Sequence, residues 1–260
     1  MELKDKIPAK LESAMIDPNE RIEEDIVCLK IIERTQYIPV LTLGNFSAII
    51  GKAKSRKSFF GILILGVMIA GKIMFNKFYP KINSKKVILF DTEQGKARVQ
   101  KSVQRVIEIA KTHENFTAYS LRPFSVEERI QMIEFAIYNT DNIGFVLLDG
   151  VRDLVTDINS PEQASKISNL LMKWTGERNI HIMVVIHQNK ADLSARGHIG
   201  TEIVNKSETV ISITKDSVEK YKSLITPEFT RDIDFEPFSY YIKDGIPCLL
   251  EEEVEETMTF

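Results

Sequence analysis

Eight residues between a short apolar run and a long apolar segment have the types and spacing of a phosphate-binding loop. The run 46–50 is typical of a buried strand, and the segment 59–71 is typical of a buried helix. A loop that ends in Lys-Ser at this junction directs backbone N–H groups and a helix N-terminus toward one point, which favours phosphate. Lys57 would reach the β- and γ-phosphates of a nucleotide, and the Ser58 hydroxyl would bind Mg²⁺. The predicted nucleotide contacts are Gly51, Lys52, Ala53, Lys54, Ser55, Arg56, Lys57, Ser58 and Phe59.

One position of this loop departs from the phosphate-binding pattern. The pattern G-x-x-x-x-G-K-[ST] has a second glycine where this sequence has Arg56. Glycine tolerates a positive φ and lets the backbone approach phosphate closely. We therefore expect Arg56 to have a negative φ, with a side chain that points away from the loop or joins the anion. The alternative is a basic surface turn before a core helix, and residues further along the chain weigh against it.

Each of three later apolar runs, which we interpret as buried strands, ends in polar residues. Ligands of open α/β sheets bind at the carboxyl ends of the parallel strands. These polar residues are therefore expected to meet the phosphate loop at one edge of a sheet. They are Asp91, Thr92 and Glu93 after the run 87–90, Asp149 after the run 145–148, and His187 and Gln188 after the run 180–186.

Two of these carboxylates have the chemistry that nucleotide hydrolysis needs. Asp149 fits the residue that holds Mg²⁺ through water beside Ser58, although an aspartate at this position can also cap a turn. Glu93 is the candidate general base that orients or activates the attacking water. Alternatively, Asp91 or Glu93 caps the helix that begins near Lys96.

The fifth predicted strand leads into a polar and basic stretch. Gln188, with or without His187, could contact the γ-phosphate or the water through its side-chain amide; it could also be an ordinary polar residue that leaves a strand. The segment 189–206 could contact the phosphate backbone of single-stranded DNA, or it could be a plain solvated loop. Its cationic residues include Lys190, Arg196 and Lys206.

The elements that must position these residues alternate along the chain. Apolar runs and helical patterns follow one another over 45–190, which predicts an α/β fold with a mainly parallel sheet covered by helices on both faces. Three later runs, at 209–214, 235–242 and 246–250, predict an antiparallel extension of the same sheet. A helix is expected around 20–34.

Composition narrows the class of protein further. A chain of 260 residues can bury one substantial core, and a net charge of −3 gives no global nucleic-acid signature, so such binding requires a local patch. The two cysteines lie far apart, which favours a reduced, cytoplasmic protein. The longest apolar run, 59–71, has 13 residues and is too short to span a bilayer. We expect no membrane association.

The order of these features resembles the RecA-like ATPases, and among them the RepA and DnaB types of hexameric replicative helicase. The resemblance covers about 40–250 and rests on the phosphate loop, on Glu93 after the next strand, and on Asp149 and His187-Gln188 at later strand ends. In that family the glutamate at this position is the catalytic one. The segments 196–200 and 235–247 are similar to a DNA-facing segment and to the terminal hairpin of RepA-type ATPases, respectively.

The resemblance implies an activity, cofactors and partners. It implies ATP and Mg²⁺ as cofactors, hydrolysis with Glu93, Lys57 and Gln188 as catalytic residues, and Ser58 and Asp149 as metal ligands. It implies action on DNA, as a helicase in replication or in the mobilisation of a mobile element. It also implies a homo-oligomer, such as a hexamer, in which a basic residue of a neighbour completes the site. The candidates for that residue are Arg196, Lys215 and Arg231.

We expect three parts in the chain and keep one rival function. The parts are an N-terminal arm at 1–40, a RecA-like ATPase domain at 41–250 and an acidic tail at 251–260. The rival is a non-catalytic, nucleotide-dependent assembly module with a degenerate phosphate loop, which binds DNA or protein; Arg56 favours it. A small-molecule kinase is a weaker third interpretation, because no lid with arginines is recognisable.

Overall fold

The fold is given by a computed structural model, which describes residues 7–19, 21, 25–82, 84–189, 195–231 and 233–249. Its strands are β1 (Val27–Glu33), β2 (Gln36–Thr42), β3 (Phe46–Ile50), β4 (Phe78–Pro80), β5 (Lys86–Asp91), β6 (Phe116–Ser120), β7 (Ile143–Asp149), β8 (His181–Val185), β9 (Thr209–Lys215), β10 (Lys222–Thr230), β11 (Phe238–Lys243) and β12 (Ile246–Cys248). Its helices are α1 (Ile7–Ser13), α2 (Lys57–Ala70), α3 (Lys96–Ala110), α4 (Val126–Asn139), α5 (Pro161–Arg178) and α6 (Gly197–Lys206), with a 3-10 turn at Val151–Leu154.

A nine-stranded sheet in the order β12-β11-β10-β9-β3-β8-β7-β5-β6 forms the centre of the molecule. The strands from β9 to β6 in this order run parallel, and β10, β11 and β12 continue the sheet antiparallel. The predicted α/β fold with an antiparallel C-terminal extension is therefore confirmed. The extension includes β10, which the sequence did not predict. Much of this strand is only partly buried, and its pairing with β9 shifts register between Pro227 and Phe229.

Two apolar clusters cover the two faces of this sheet. Side chains alternate between the faces of a strand, and in β7 Leu147 joins one cluster while Val146 and Leu148 join the other. The first cluster contains most of the buried apolar residues of α2 together with residues of α3, and the second contains those of α4, α5 and α6. Within the described residues, no helix is long and apolar enough to cross a membrane.

A second, three-stranded sheet in the order β2-β1-β4 packs beside α2. The predicted helix around 20–34 is therefore wrong for residues 27–33, which form β1. The reason is a long-range contact: β1 pairs with β2 on one side and with β4 on the other, where Ile31 lies opposite Phe78. Pairing with residues so distant in the sequence overrides local helical spacing.

A buried hydrogen-bonded cluster connects this small sheet to the central sheet. His181 at the start of β8 contacts Ser47 Oγ through Nε2 at 2.8 Å and the Thr42 carbonyl through Nδ1 at 2.8 Å. Glu208 lies 3.2 Å from the same Nδ1 and accepts the Thr42 N–H at 2.8 Å. Ser47 and His181 are fully buried, so no substrate can reach this Ser-His-Glu arrangement. Its role is structural.

Candidate functional site

The loop between β3 and α2 lies at the carboxyl edge of the central sheet. A Cβ on Gly51 would lie 2.5 Å from the Ile213 carbonyl and 2.6 Å from Ser55 Oγ, so only glycine fits here. The Lys57 side chain is buried, and its ammonium donates to the carbonyls of Gly51 at 2.8 Å and Lys52 at 2.9 Å. These bonds hold a positive charge inside the loop. Burial lowers the pKa of Lys57 to about 8, against the opposing attraction of nearby carboxylates.

Arg56 has the backbone conformation of the glycine that it replaces. Its φ is +74°, so the expected negative φ is wrong. A left-handed conformation costs a non-glycine residue on the order of 1–3 kcal/mol, and it persists only where the surroundings hold it. The side chain points away from the loop, as one of the expected alternatives had it. The guanidinium donates to the carbonyls of Lys220 and Lys222 and to Ser223 Oγ, and Tyr240 donates its hydroxyl to the Arg56 carbonyl.

A hydroxyl and a carboxylate meet at the start of α2. The Ser58 hydroxyl donates a hydrogen bond to Asp149, which ends β7 and is 5% exposed. Burial is the largest cause that raises the pKa of Asp149 to about 7, and the nearby Asp91 adds to it; the Ser58 hydrogen bond and Lys57 oppose the shift. Hydroxyl and carboxylate oxygens are ligands that Mg²⁺ prefers. Ser58 and Asp149 are therefore positioned to share one metal ion.

The raised pKa of Asp149 predicts a pH-dependent cost to stability. Because the pKa lies above that of an unfolded aspartate, its contribution to stability is complete below about pH 4 and is lost as the pH rises through 7. In the absence of nucleotide and Mg²⁺, Asp149→Asn should therefore be more stable than the wild type at pH 8, by roughly 2–4 kcal/mol. The gain should shrink toward pH 5. Urea unfolding in EDTA at both pH values measures it, and an equal difference at both would contradict the assignment.

His187 bridges the loop lysine and the candidate base. Its Nδ1 lies 3.1 Å from Lys57 Nζ, and its Nε2 lies 3.2 Å from Glu93 Oε1. One neutral tautomer satisfies both contacts: Nδ1 accepts from the ammonium, and Nε2–H donates to the carboxylate. The hydrogen bond from His187 is the largest cause that lowers the pKa of Glu93. Glu93 is thus held ionised beside the loop.

Asp91 performs the capping role that had two candidates. Its carboxylate accepts the backbone N–H of Glu93 at 3.1 Å and that of Gln94 at 2.7 Å, which leaves the Glu93 carboxylate to face His187. Gly150 allows the two strand ends to lie this close. With its φ of +103°, a Cβ there would lie 2.3 Å from Thr92 Oγ1 and 2.8 Å from Glu93 Cγ.

The remaining predicted residues are distributed unevenly around the loop. Gln188 is buried, and its backbone N–H donates to the Gly51 carbonyl at 3.0 Å, so it adjoins the loop. The predicted loop 189–206 is a helix over its described part from Gly197 to Lys206, since this part packs on α5. Arg196 is exposed at the start of that helix, whereas Lys190 lies outside the described residues. Lys206 donates to Ser168 Oγ at 3.0 Å and pairs with Glu202.

Two further cations had been candidates for a role in a neighbouring subunit. Lys215 is exposed at the end of β9. Arg231 is half exposed and donates to Asn45 Oδ1 at 3.3 Å, with Asp25 at 3.8 Å. The sequence interpretation undervalued His187, which it named only as a companion of Gln188. The signal was its place directly after a fully buried strand, on the edge where the other polar residues converge.

The fold and the loop define the class of RecA-like P-loop ATPases, and the predicted resemblance is confirmed at the level of the fold. The ATPase domain of a DnaB-family helicase is similar, with a TM-score of 0.59 and 14% identity, over 80% of this chain and 85% of that chain. The RadB recombinase is similar with a TM-score of 0.55 and 14% identity, over 81% of this chain and 93% of that chain. By sequence, no protein family and no curated protein matches the chain.

Proposed function

We propose that the protein is an ATPase that binds Mg·ATP at the loop between β3 and α2 and hydrolyses it while acting on DNA. The observation that carries the proposal is the convergence of a buried lysine, a hydroxyl–carboxylate pair and a second, ionised carboxylate at one edge of the sheet. These groups are Lys57, Ser58 with Asp149, and Glu93. Lysine, metal ligands and a base are the parts that phosphoryl transfer to water requires.

The residues of the loop fit a triphosphate. The Ser55 hydroxyl is buried within the loop and has no hydrogen-bond partner among the described residues, so it offers a donor to an anion. Lys57 offers a charge at the same place, and the uncapped first turn of α2 adds backbone N–H groups. Ser58 and Asp149 would hold Mg²⁺, which would neutralise charge on the phosphates. Lys52, Ala53, Lys54 and Phe59 complete the proposed contacts.

The groups around Glu93 support hydrolysis rather than binding alone. An ionised carboxylate can orient a water molecule and accept its proton. His187 fixes the direction of this carboxylate, and a phosphate at Lys57 would compete for the ammonium that now contacts His187. Gln188, buried beside the loop, is the proposed contact of the γ-phosphate or the water. Lys57, Glu93 and Gln188 are thus the proposed catalytic residues.

Action on DNA is proposed on the fold and on the charge near the site. One of the similar structures is a recombinase by name, and the sequence resemblance is to replicative helicases. Single-stranded DNA would contact the segment 189–206, where Arg196 is exposed. A cytoplasmic homo-oligomer, such as a hexamer, would place Arg196, Lys215 or Arg231 beside the nucleotide of a neighbour. Helicase activity, in replication or in the mobilisation of a mobile element, is the specific form proposed.

Steady-state ATP hydrolysis by the purified protein tests this proposal. We expect turnover that requires Mg²⁺ and that rises several-fold when an oligo(dT) strand is added. Tight binding of ATP without turnover, with or without DNA, would instead support the rival assembly module. Absence of both binding and turnover would contradict a nucleotide function altogether. Replacing ATP with a non-hydrolysable analogue in a filter-binding assay separates the first two outcomes.

A further inference from the structure

Arg56 joins the phosphate loop to the antiparallel extension of the sheet. Its Nη1 donates to the Lys222 carbonyl at 2.8 Å and to Ser223 Oγ at 3.1 Å, and its Nη2 donates to the Lys220 carbonyl. On the opposite side, Tyr240 donates its hydroxyl to the Arg56 carbonyl at 2.7 Å. One loop residue is therefore connected to β10, to β11 and to the turn that precedes β10.

These contacts require arginine and a rigid partner surface. Ser223 and Tyr240 are both fully buried, so the guanidinium and the carbonyl of Arg56 bind groups that are fixed within the sheet. A glycine at position 56 would adopt the φ of +74° without strain, but it would carry no donor. A lysine would offer a point charge in place of a planar fork and could not reach the same three acceptors together.

The turn that Arg56 contacts is itself ordered and lies at the surface. In the turn 216–221, the Asp216 carboxylate accepts the backbone N–H groups of Val218 and Glu219, each at 2.8 Å. The same turn exposes 89% of Val218 and 58% of Tyr221. A turn that is held together internally moves as one body, so a restraint at Lys220 restrains all of it.

We propose that Arg56 is a positioning residue of the nucleotide site, which fastens the phosphate loop to the turn 216–221 so that the two segments open and close together. The arginine thus replaces the conformational freedom of a second glycine with a fixed, left-handed geometry. Coupling between two segments is reciprocal: whatever orders the loop also orders the turn. The coupling itself can be tested without nucleotide, whereas its effect on ATP rests on the proposed function.

Hydrogen exchange of the nucleotide-free protein tests the coupling directly. In Arg56→Gly we expect exchange to become faster by about tenfold or more in both segments, 51–58 and 216–224. Lys54→Gly is the matched control: Lys54 is exposed in the same loop and has a φ of +67°, so this change relieves a left-handed residue without removing an anchor. It should leave the turn unchanged. Faster exchange confined to the loop in Arg56→Gly would overturn the proposal.

Two milder variants keep the test decisive if Arg56→Gly folds poorly. Ser223→Ala and Tyr240→Phe each remove one hydrogen bond to Arg56 while the guanidinium stays in place. Each should accelerate exchange of the loop by a smaller factor, and each should add little in the background of Arg56→Gly. Full additivity of the effects on exchange would contradict a shared clamp.

Addition of Mg·ATP extends the test to the proposed function. In the wild type, ATP should protect the turn 216–221 as well as the loop, and in Arg56→Gly it should protect the loop alone. The KM for ATP should rise in this variant more than kcat falls, because positioning of the loop is lost and the chemical groups remain. A gain in turnover would show a disabled loop and overturn the positioning role. A wild type that binds no ATP would contradict the proposed function, while the nucleotide-free exchange would still decide the role of Arg56.

Discussion

Glu93→Gln should lower kcat for ATP hydrolysis by roughly 10²–10⁴-fold, the usual contribution of a general base, and leave the affinity for Mg·ATP nearly unchanged. Glutamine keeps the shape of the side chain, and its Oε1 can still accept the hydrogen bond that His187 donates at 3.2 Å. It cannot accept a proton from water. The loss should therefore appear in the chemical step, which single-turnover hydrolysis measures apart from binding.

A second carboxylate on the protein surface provides the control for this variant. Glu127 lies in the first turn of α4, is exposed, and has no part in the proposed site. Glu127→Gln removes the same charge and should leave kcat unaltered. If Glu93→Gln weakened nucleotide binding as much as the loss of Lys57 does, the separate roles given to these two residues would be refuted.

The parallel core could be predicted because its strands carry their own signal. The strands β3, β7 and β8 are buried at every position, and such strands are typically continuous apolar runs. Polar residues end β7 and follow β8 on the same edge, since parallel strands share one carboxyl edge. The convergence of the loop with Asp149 and His187 follows from that topology. Secondary structure and site were thus encoded together in this part of the chain.

The small sheet and β10 could not be predicted in this way. The strand β1 depends on β4, whose residues come after the phosphate loop and α2, so no local window contains the pairing. The strand β10 is largely half exposed and contains Pro227, which weakens its pattern. In both elements, the contacts that define the strand include residues outside the local sequence.

The conformation of Arg56 shows the same limit at a single residue. From the sequence, a non-glycine residue predicts a negative φ. The positive φ is held by the carbonyls of Lys220 and Lys222, by Ser223 and by the Tyr240 hydroxyl, at sequence separations from 164 to 184 residues. The sequence pattern thus identified the exception, and only the tertiary contacts explain why the exception retains the shape of the loop.

The charged groups of the site are individually unfavourable, which fits a site built for a ligand. Burial lowers the pKa of Lys57 to about 8 and raises that of Asp149 to about 7, so each group is held against its preferred charge state near neutral pH. Such shifts cluster at functional sites. A phosphate beside the lysine and a cation beside the aspartate would each favour the charged form of its neighbour.

Lys57→Ala should weaken the binding of Mg·ATP by roughly 100-fold or more, since it removes a charge-assisted donor from the phosphates. The ammonium is buried within the loop and donates to the carbonyls of Gly51 and Lys52, so no neighbouring cation can take its place without opening the loop. Isothermal titration of the variant with ATP in Mg²⁺ measures the loss, and circular dichroism checks the fold.

Lys52→Ala separates the position of the charge from its mere presence in the loop. Lys52 lies five residues before Lys57 in the same loop, but it is exposed. If ATP were attracted by the general basic character of this turn, the two variants would lose affinity equally, and more so at low salt. If the buried ammonium binds phosphate at short range, Lys52→Ala should change the affinity little at any salt concentration. Equal losses would return the loop to a basic surface turn, and the proposed nucleotide site would fall with it.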